Sequence, residues 1–189
     1  MSTHLLARIR IGMLIFFAIL VQTTLGSDLR VTHVAPDLMV LLAICAGMEG
    51  GTEAGAWVGF WCGLTADMFL TATPVGLSAL TYCLIGAATG ALRAGFLQER
   101  RALIPVVAVL GTAVSVLLFV TIGDVLGQSQ LLAAGRSWLI RVVVVESAWA
   151  AVLSIPVSII YQWAARGSAG TERLGTTRGS VIGERLPAK

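Results

Sequence analysis

Polar and apolar positions alternate in long blocks along this chain. Four stretches carry no charged residue at all: 11–27, 68–92, 102–123 and 147–165. A helix needs roughly 20 apolar residues to cross a bilayer, and these stretches meet or approach that length. The pattern predicts an all-α integral membrane protein of about six membrane-spanning helices. They fall near 11–25, 36–48, 54–70, 75–92, 103–123 and 138–163. The first follows Arg8 and Arg10. It resembles a signal peptide, but its apolar run is long for one and further spans follow, which favours an uncleaved helix. The second opens on Pro36-Asp37, a residue pair suited to the positive end of a helix dipole. Its charge-free part, 38–48, is too short to span as a straight helix. It either continues through Glu49 and Glu53 or is partly buried by its neighbours.

The third segment carries a finer pattern. In GMEGGTEAGAWVGFWCGLTAD, glycine stands at 47, 51, 55, 59 and 63, and the next step of four is Asp67. Residues four apart share one face of a helix, so Gly55, Gly59 and Gly63 form a groove without side chains. Membrane helices gain little from hydrophobicity when they meet, because lipid tails are as apolar as leucine; small residues let their backbones approach closely instead. Gly86, Gly90 and Ala94 repeat the spacing on the fourth segment. Such a row serves either packing within this chain or an interface for a partner's helix.

Charge then sets orientation and narrows function. Hydrophobic residues make up 57% of the chain and charged residues 12%, against about 25% charged in soluble domains. Of the thirteen Lys and Arg, ten fall before segment one, after segment four, or in the tail. The positive-inside rule therefore places both termini in the cytoplasm. The basic balance reports topology and anionic headgroups rather than nucleic acid. The membrane domain is expected over residues 1–166. Residues 167–189, rich in Gly, Ser, Thr and charge, read as a disordered basic tail, with docking to anionic lipid or a cytoplasmic partner as the functional alternative. Cys45, Cys62 and Cys83 lie in apolar runs without CxxC spacing, as small buried hydrophobes do.

Carboxylates within the membrane region are the remaining candidates for chemistry, since an intramembrane acid is costly and commonly functional. Asp67 sits near the end of segment three, and the TATPVG turn after it offers backbone N–H groups. Glu146 falls about eight residues into segment six, with Arg141 five positions earlier rather than at the favourable i,i+4 spacing. It should meet a polar group on another helix or on a partner. No HExxH, GxSxG, Walker loop or His–Asp cluster is present. Neither a catalytic residue, a metal ligand nor a cofactor site is expected, and an enzyme is disfavoured.

The block PDLMVLLAICAGMEGGTEAGAWVGFWCGLTADMFLTATPVGLSAL resembles the core of the rod shape-determining protein MreD family. The residues that carry the resemblance are Pro36, Asp37 and Leu38; Gly55, Gly59, Phe60, Gly63, Leu64 and Asp67; and Pro74, Gly76 and Leu77. It covers residues 36 to about 92; the rest of the chain agrees in length and helix count. The resemblance implies a fold similar to the substrate-binding subunit of energy-coupling-factor vitamin transporters. It also implies a non-catalytic scaffold of the bacterial inner membrane, in the machinery for cell-wall elongation. The partners it implies are an MreC-like protein, a RodA-type glycosyltransferase and a class B penicillin-binding protein, with MreB filaments possible indirect associates. Pro36, Asp37, Asp67, Pro74 and Gly76 would form a rigid turn at the outer face. A substrate-binding subunit of a vitamin-type transporter is the competing reading. It would use Asp28, Arg30, His33, Asp124, Gln128, Gln130, Arg136 and Trp138 as outer polar and aromatic groups.

Overall fold

The computed structural model describes residues 3–25, 36–69, 76–96, 103–127 and 135–165. These residues form five helices: α1 (Thr3–Leu25), α2 (Leu38–Phe69), α3 (Leu77–Phe96), α4 (Ile104–Val125) and α5 (Arg136–Ala165). Four of them, all but α1, are long and apolar enough to cross a membrane; α1 contributes a shorter apolar stretch, Ile9–Thr24. The chain is thus all-α among the described residues. The expected tail, 167–189, lies outside them.

The six-segment expectation needs one amendment. The predicted second and third segments are a single element, α2, interrupted at Gly51, whose φ of 84° and ψ of −174° are non-helical. The two arms, 38–50 and 52–69, fold back on each other. Gly47 and Gly55 would stand about 12 Å apart on an unbroken helix, yet a Cβ placed on Gly55 would lie 2.7 Å from the Gly47 Cα. Asp37 and Asp67 would be about 45 Å apart on such a helix. Instead they bind Tyr82 and Ala79, which are one turn apart on α3. Only glycine readily adopts backbone like that of Gly51, so the reversal is written into that residue.

The first arm is about 20 Å long, short of a bilayer core of about 30 Å. It survives because protein surrounds it: every residue from Met39 to Met48 is buried. It forms the centre of the core, with Ile15, Ala18 and Ile19 of α1, Tyr82 and Ile85 of α3, Val107 and Ala108 of α4, and Ala150 and Tyr161 of α5 against it.

The second arm and α3 are antiparallel and nearly in backbone contact. A Cβ on Gly63 would strike the Ser78 carbonyl and the Ala79 backbone. One on Gly59 would strike the Tyr82 carbonyl, one on Gly55 the Gly86 carbonyl, and one on Gly90 the backbone of Gly51 and Thr52. Gly47 of the first arm also meets Gly86 and Gly90. Each step of four along one helix meets a step of four along the other, so a single seam runs the length of the pair. The glycine row packs within this chain.

The two ends of the bundle are held differently. At the end where α1 starts and α5 finishes, here called proximal, the Arg93 guanidinium donates to the Glu49 carbonyl oxygen. Gln162 Nε2 donates to Glu49 Oε1 at 2.9 Å. Arg10 lies 5.4 Å over the Trp163 ring, within cation–π range. The distal end carries the carboxylates described below.

Gly55→Ala, Gly59→Ala and Gly63→Ala should each lower stability in detergent by at least the 1–3 kcal/mol typical of overpacking, because the obstruction is backbone that cannot rotate away. Gly95 sits in α3 with open space around its absent Cβ. Gly95→Ala should be neutral or stabilising by up to about 1 kcal/mol. Thermal unfolding of the four purified variants checks this; equal losses at all four positions would remove the seam as the cause.

Candidate functional site: the distal carboxylates at the end of the glycine seam

Pro36 and Asp37 precede the first turn of α2, and Asp37 is its N-cap. Its Oδ1 accepts hydrogen bonds from Met39 N at 2.9 Å and Val40 N at 3.2 Å, satisfying two N–H groups that an open helix start leaves unpaired. Its Oδ2 accepts the Tyr82 hydroxyl of α3, and the Gln22 side chain of α1 also hydrogen-bonds to this carboxylate. One carboxylate therefore ties three helices together.

Asp67 caps a helix it does not belong to. It ends the glycine row one turn beyond Gly63 and is 2% exposed. Oδ2 accepts Gly76 N at 2.7 Å and Ala79 N at 3.3 Å, while Oδ1 accepts Ser78 N at 3.3 Å. These are the first N–H groups of α3, where the helix dipole favours an anion. Gly76, with φ 106°, supplies a backbone conformation rarely open to other residues and so turns its N–H into the carboxylate. Pro74 lies outside the described residues, as does the whole of 70–75.

Glu146 sits half-buried on α5. It interacts electrostatically with Asp37 and with Tyr82, so the structure brings it toward the same distal cluster. Gly86 and Gly90 lie on the α3 side of the seam, toward the proximal end. Two buried polar atoms, Gln22 Oε1 and Thr112 Oγ1, have no hydrogen-bond partner among the described residues. Of the residues named for a transported substrate, Asp28, Arg30, His33, Gln128 and Gln130 lie outside the described residues. Asp124 and Trp138 are exposed.

Sequence reasoning missed Tyr82, Gln22 and the proximal latch on Glu49. The spacing gave Tyr82 away in part: it falls one turn after Ser78, on the seam face of the fourth segment. Gln22 is the one amide in the first segment. Arg93 was counted only as a topological charge.

As a chemical device, this site holds helices. Asp67 is filled by three backbone donors, and Asp37 by two backbone donors, a phenol and an amide. A family model described as rod shape-determining protein MreD matches residues 4–164. The chain belongs to the MreD family. The match takes in all five helices and leaves out residues 167–189. Among curated proteins and among solved structures the chain has no significant match. Membership in the MreD family gives it a role in rod-shape determination, within a membrane-associated machinery. The motif residues that resembled MreD, Asp37, the glycines and Asp67, are in this structure the seam and its two distal fastenings.

Tyr82→Phe and Asp37→Asn should each destabilise the protein by about 1–3 kcal/mol, the usual range when a buried hydrogen-bonding group loses its partner. The double variant should lose clearly less than the sum, since contacting residues couple. Unfolding of the two single variants and the double variant measures the coupling. Strict additivity would mean that the phenol–carboxylate contact contributes nothing.

Proposed function

We propose that this MreD-family chain is a non-catalytic membrane scaffold of the cell-wall elongation machinery. It binds an MreC-like protein and, with it, a RodA-type glycosyltransferase and a class B penicillin-binding protein. MreB filaments associate indirectly, and no cofactor takes part. The observation that carries this reading is the saturation of Asp37 and Asp67 by hydrogen bonds from their own chain. A carboxylate with three of its roughly four acceptor sites taken by donors of its own chain is placed to position helices. A rigid platform is what remains.

Both termini are cytoplasmic in this reading, and the protein is a multi-pass component of the inner membrane. Arg10, Arg93 and the entry to the arginine-bearing tail after Ala165 share the proximal end of the bundle. The positive-inside rule assigns such an end to the cytoplasm. The distal carboxylates then face the periplasm, on the side where wall precursors are polymerised.

Reporter fusions at Lys189 and near Gln128 should give cytoplasmic and periplasmic signals respectively; a periplasmic signal from the tail would refute the orientation. The purified protein should co-purify with an MreC-like protein from its native membrane and should show no turnover of lipid-linked wall precursor. Turnover that survives removal of every synthase, but is lost in Asp67→Asn or Glu146→Gln, would make it an enzyme after all.

A further inference from the structure

Arg10 stands at the rim of the membrane region. The apolar stretch of α1 begins at Ile9, and that of α5 ends at Ala165, so Arg10 and Trp163 lie where hydrocarbon gives way to headgroups. The Arg10 guanidinium lies 5.4 Å over the Trp163 ring. Arg10 is exposed, and Trp163 is 62% exposed. Among the described residues Arg10 forms no hydrogen bond or ion pair. Of the two acids at this end, Glu49 accepts from Gln162, and Glu53 forms no ion pair with Arg10. A guanidinium stacked on an indole has its plane fixed, while its N–H groups, which lie in that plane, stay free. Such a fork fits two oxygens of a phosphate at once.

Below this pair, one stripe on each helix leads inward. Arg10, Leu14, Phe17 and Val21 recur every three or four positions and share one face of α1. Val157, Ile160 and Trp163 do the same on α5. Leu14, Phe17, Val21, Val157 and Ile160 line a furrow of about 160 Å³ between the two helices, with buried Leu42 of the first arm at its bottom. No polar side chain lines it. From Leu14 to Val21 it runs about 10 Å, which leaves a cross-section of roughly 15 Å². A helix, about 10 Å across, cannot sink into it; a single acyl chain can. Water gains nothing there, because an apolar furrow offers it no hydrogen bonds.

We infer that Arg10 and Trp163, with the furrow beneath them, bind one anionic phospholipid, its phosphate on the Arg10 fork and an acyl chain between α1 and α5. The headgroup is anionic rather than zwitterionic for two reasons. The site holds a cation without a counter-ion among the described residues, and the Trp163 face that could receive an ammonium is already covered by Arg10. Basic sites between spanning helices hold anionic headgroups in this way. The site goes beyond the scaffold reading and holds in either orientation, since both ends of the bundle meet a bilayer surface.

The test uses the full chain purified in detergent and titrated with phosphatidylglycerol, with phosphatidylcholine of the same acyl chains, or with inorganic phosphate. Native mass spectrometry and thermal unfolding read the outcome. Phosphatidylglycerol should stay bound at one copy and raise the unfolding temperature; phosphatidylcholine and inorganic phosphate should do neither. Arg10→Gln should weaken phosphatidylglycerol binding at least about tenfold, the scale of one lost hydrogen bond to a charged group. Ile160→Trp, which fills the furrow and leaves Arg10 in place, should weaken it as well. Arg141→Gln removes an exposed arginine from the other end of α5 and should change nothing. Each variant is compared with itself without lipid, so a loss of basal stability does not mimic a loss of the lipid effect. Equal binding of the two lipids, binding untouched by Arg10→Gln or by Ile160→Trp, an equal loss in Arg141→Gln, or the full effect from inorganic phosphate alone would each overturn the inference.

Discussion

A carbonyl oxygen of α3 lies where the side chain of α2 would be, at Gly55, at Gly59 and at Gly63. The rest of the structure depends on this repeated omission. Lipid tails give membrane helices no hydrophobic reason to associate, so what holds two of them together is close packing and polar contact. Three glycines in register supply the closeness over most of the seam. Because the second arm is pressed so tightly on α3, the first arm can be a buried half-length helix. Its ten consecutive buried residues, Met39 to Met48, face neither lipid nor water.

The seam also explains where the polar groups stand. Two helices in backbone contact must keep their register, and a row of glycines has no side chain to hold it. Asp67 fixes the register at one point by gripping the first N–H groups of α3, and Asp37 does so one turn further along through Tyr82. Burial away from water strengthens these hydrogen bonds. At the proximal end, Arg93 and Gln162 close on Glu49. Glycine allows the approach, and the flanking polar contacts stop the helices sliding.

Much of this was legible in the residues, and the failures have physical causes. The four-residue period, the carboxylate that ends it and the small residues of the fourth segment all announce a close crossing. The predicted segments match the observed helices to within a few residues except at the start of α1, which begins at Thr3 rather than 11. A reversal between the second and third segments was expected, but not that helix would run to residue 50 and resume at 52 with Gly51 alone non-helical, because the glycine period runs straight through it: Gly47 and Gly55 lie on two antiparallel arms that meet the same residue, Gly86. Periodicity reports spacing along the chain and is silent about a single non-helical residue, above all when that residue is itself a glycine. The partners of Asp37 were hidden for another reason. Gln22 and Tyr82 lie 15 and 45 positions away, and nothing local marks a tyrosine in an apolar run as an acid's partner. The exposure of Trp57 and Trp61 depends on where α1 and α5 lie, which no local pattern in the sequence reports.

The same spacing of four thus serves two purposes on one helix. At about 100° per residue, the stripe through 53, 57, 61 and 65 is rotated about 200° from the stripe through 55, 59 and 63, so the two look in nearly opposite directions. One stripe has no side chains and is consumed by the fold. The other has the largest side chains available and ends in an unpaired acid. A substitution on the glycine stripe acts on backbone and must disturb the whole bundle. One on the aromatic stripe acts on side chains that few others touch. The arm that carries the aromatic stripe is held from behind by the glycines, whose missing side chains leave room for the α3 backbone.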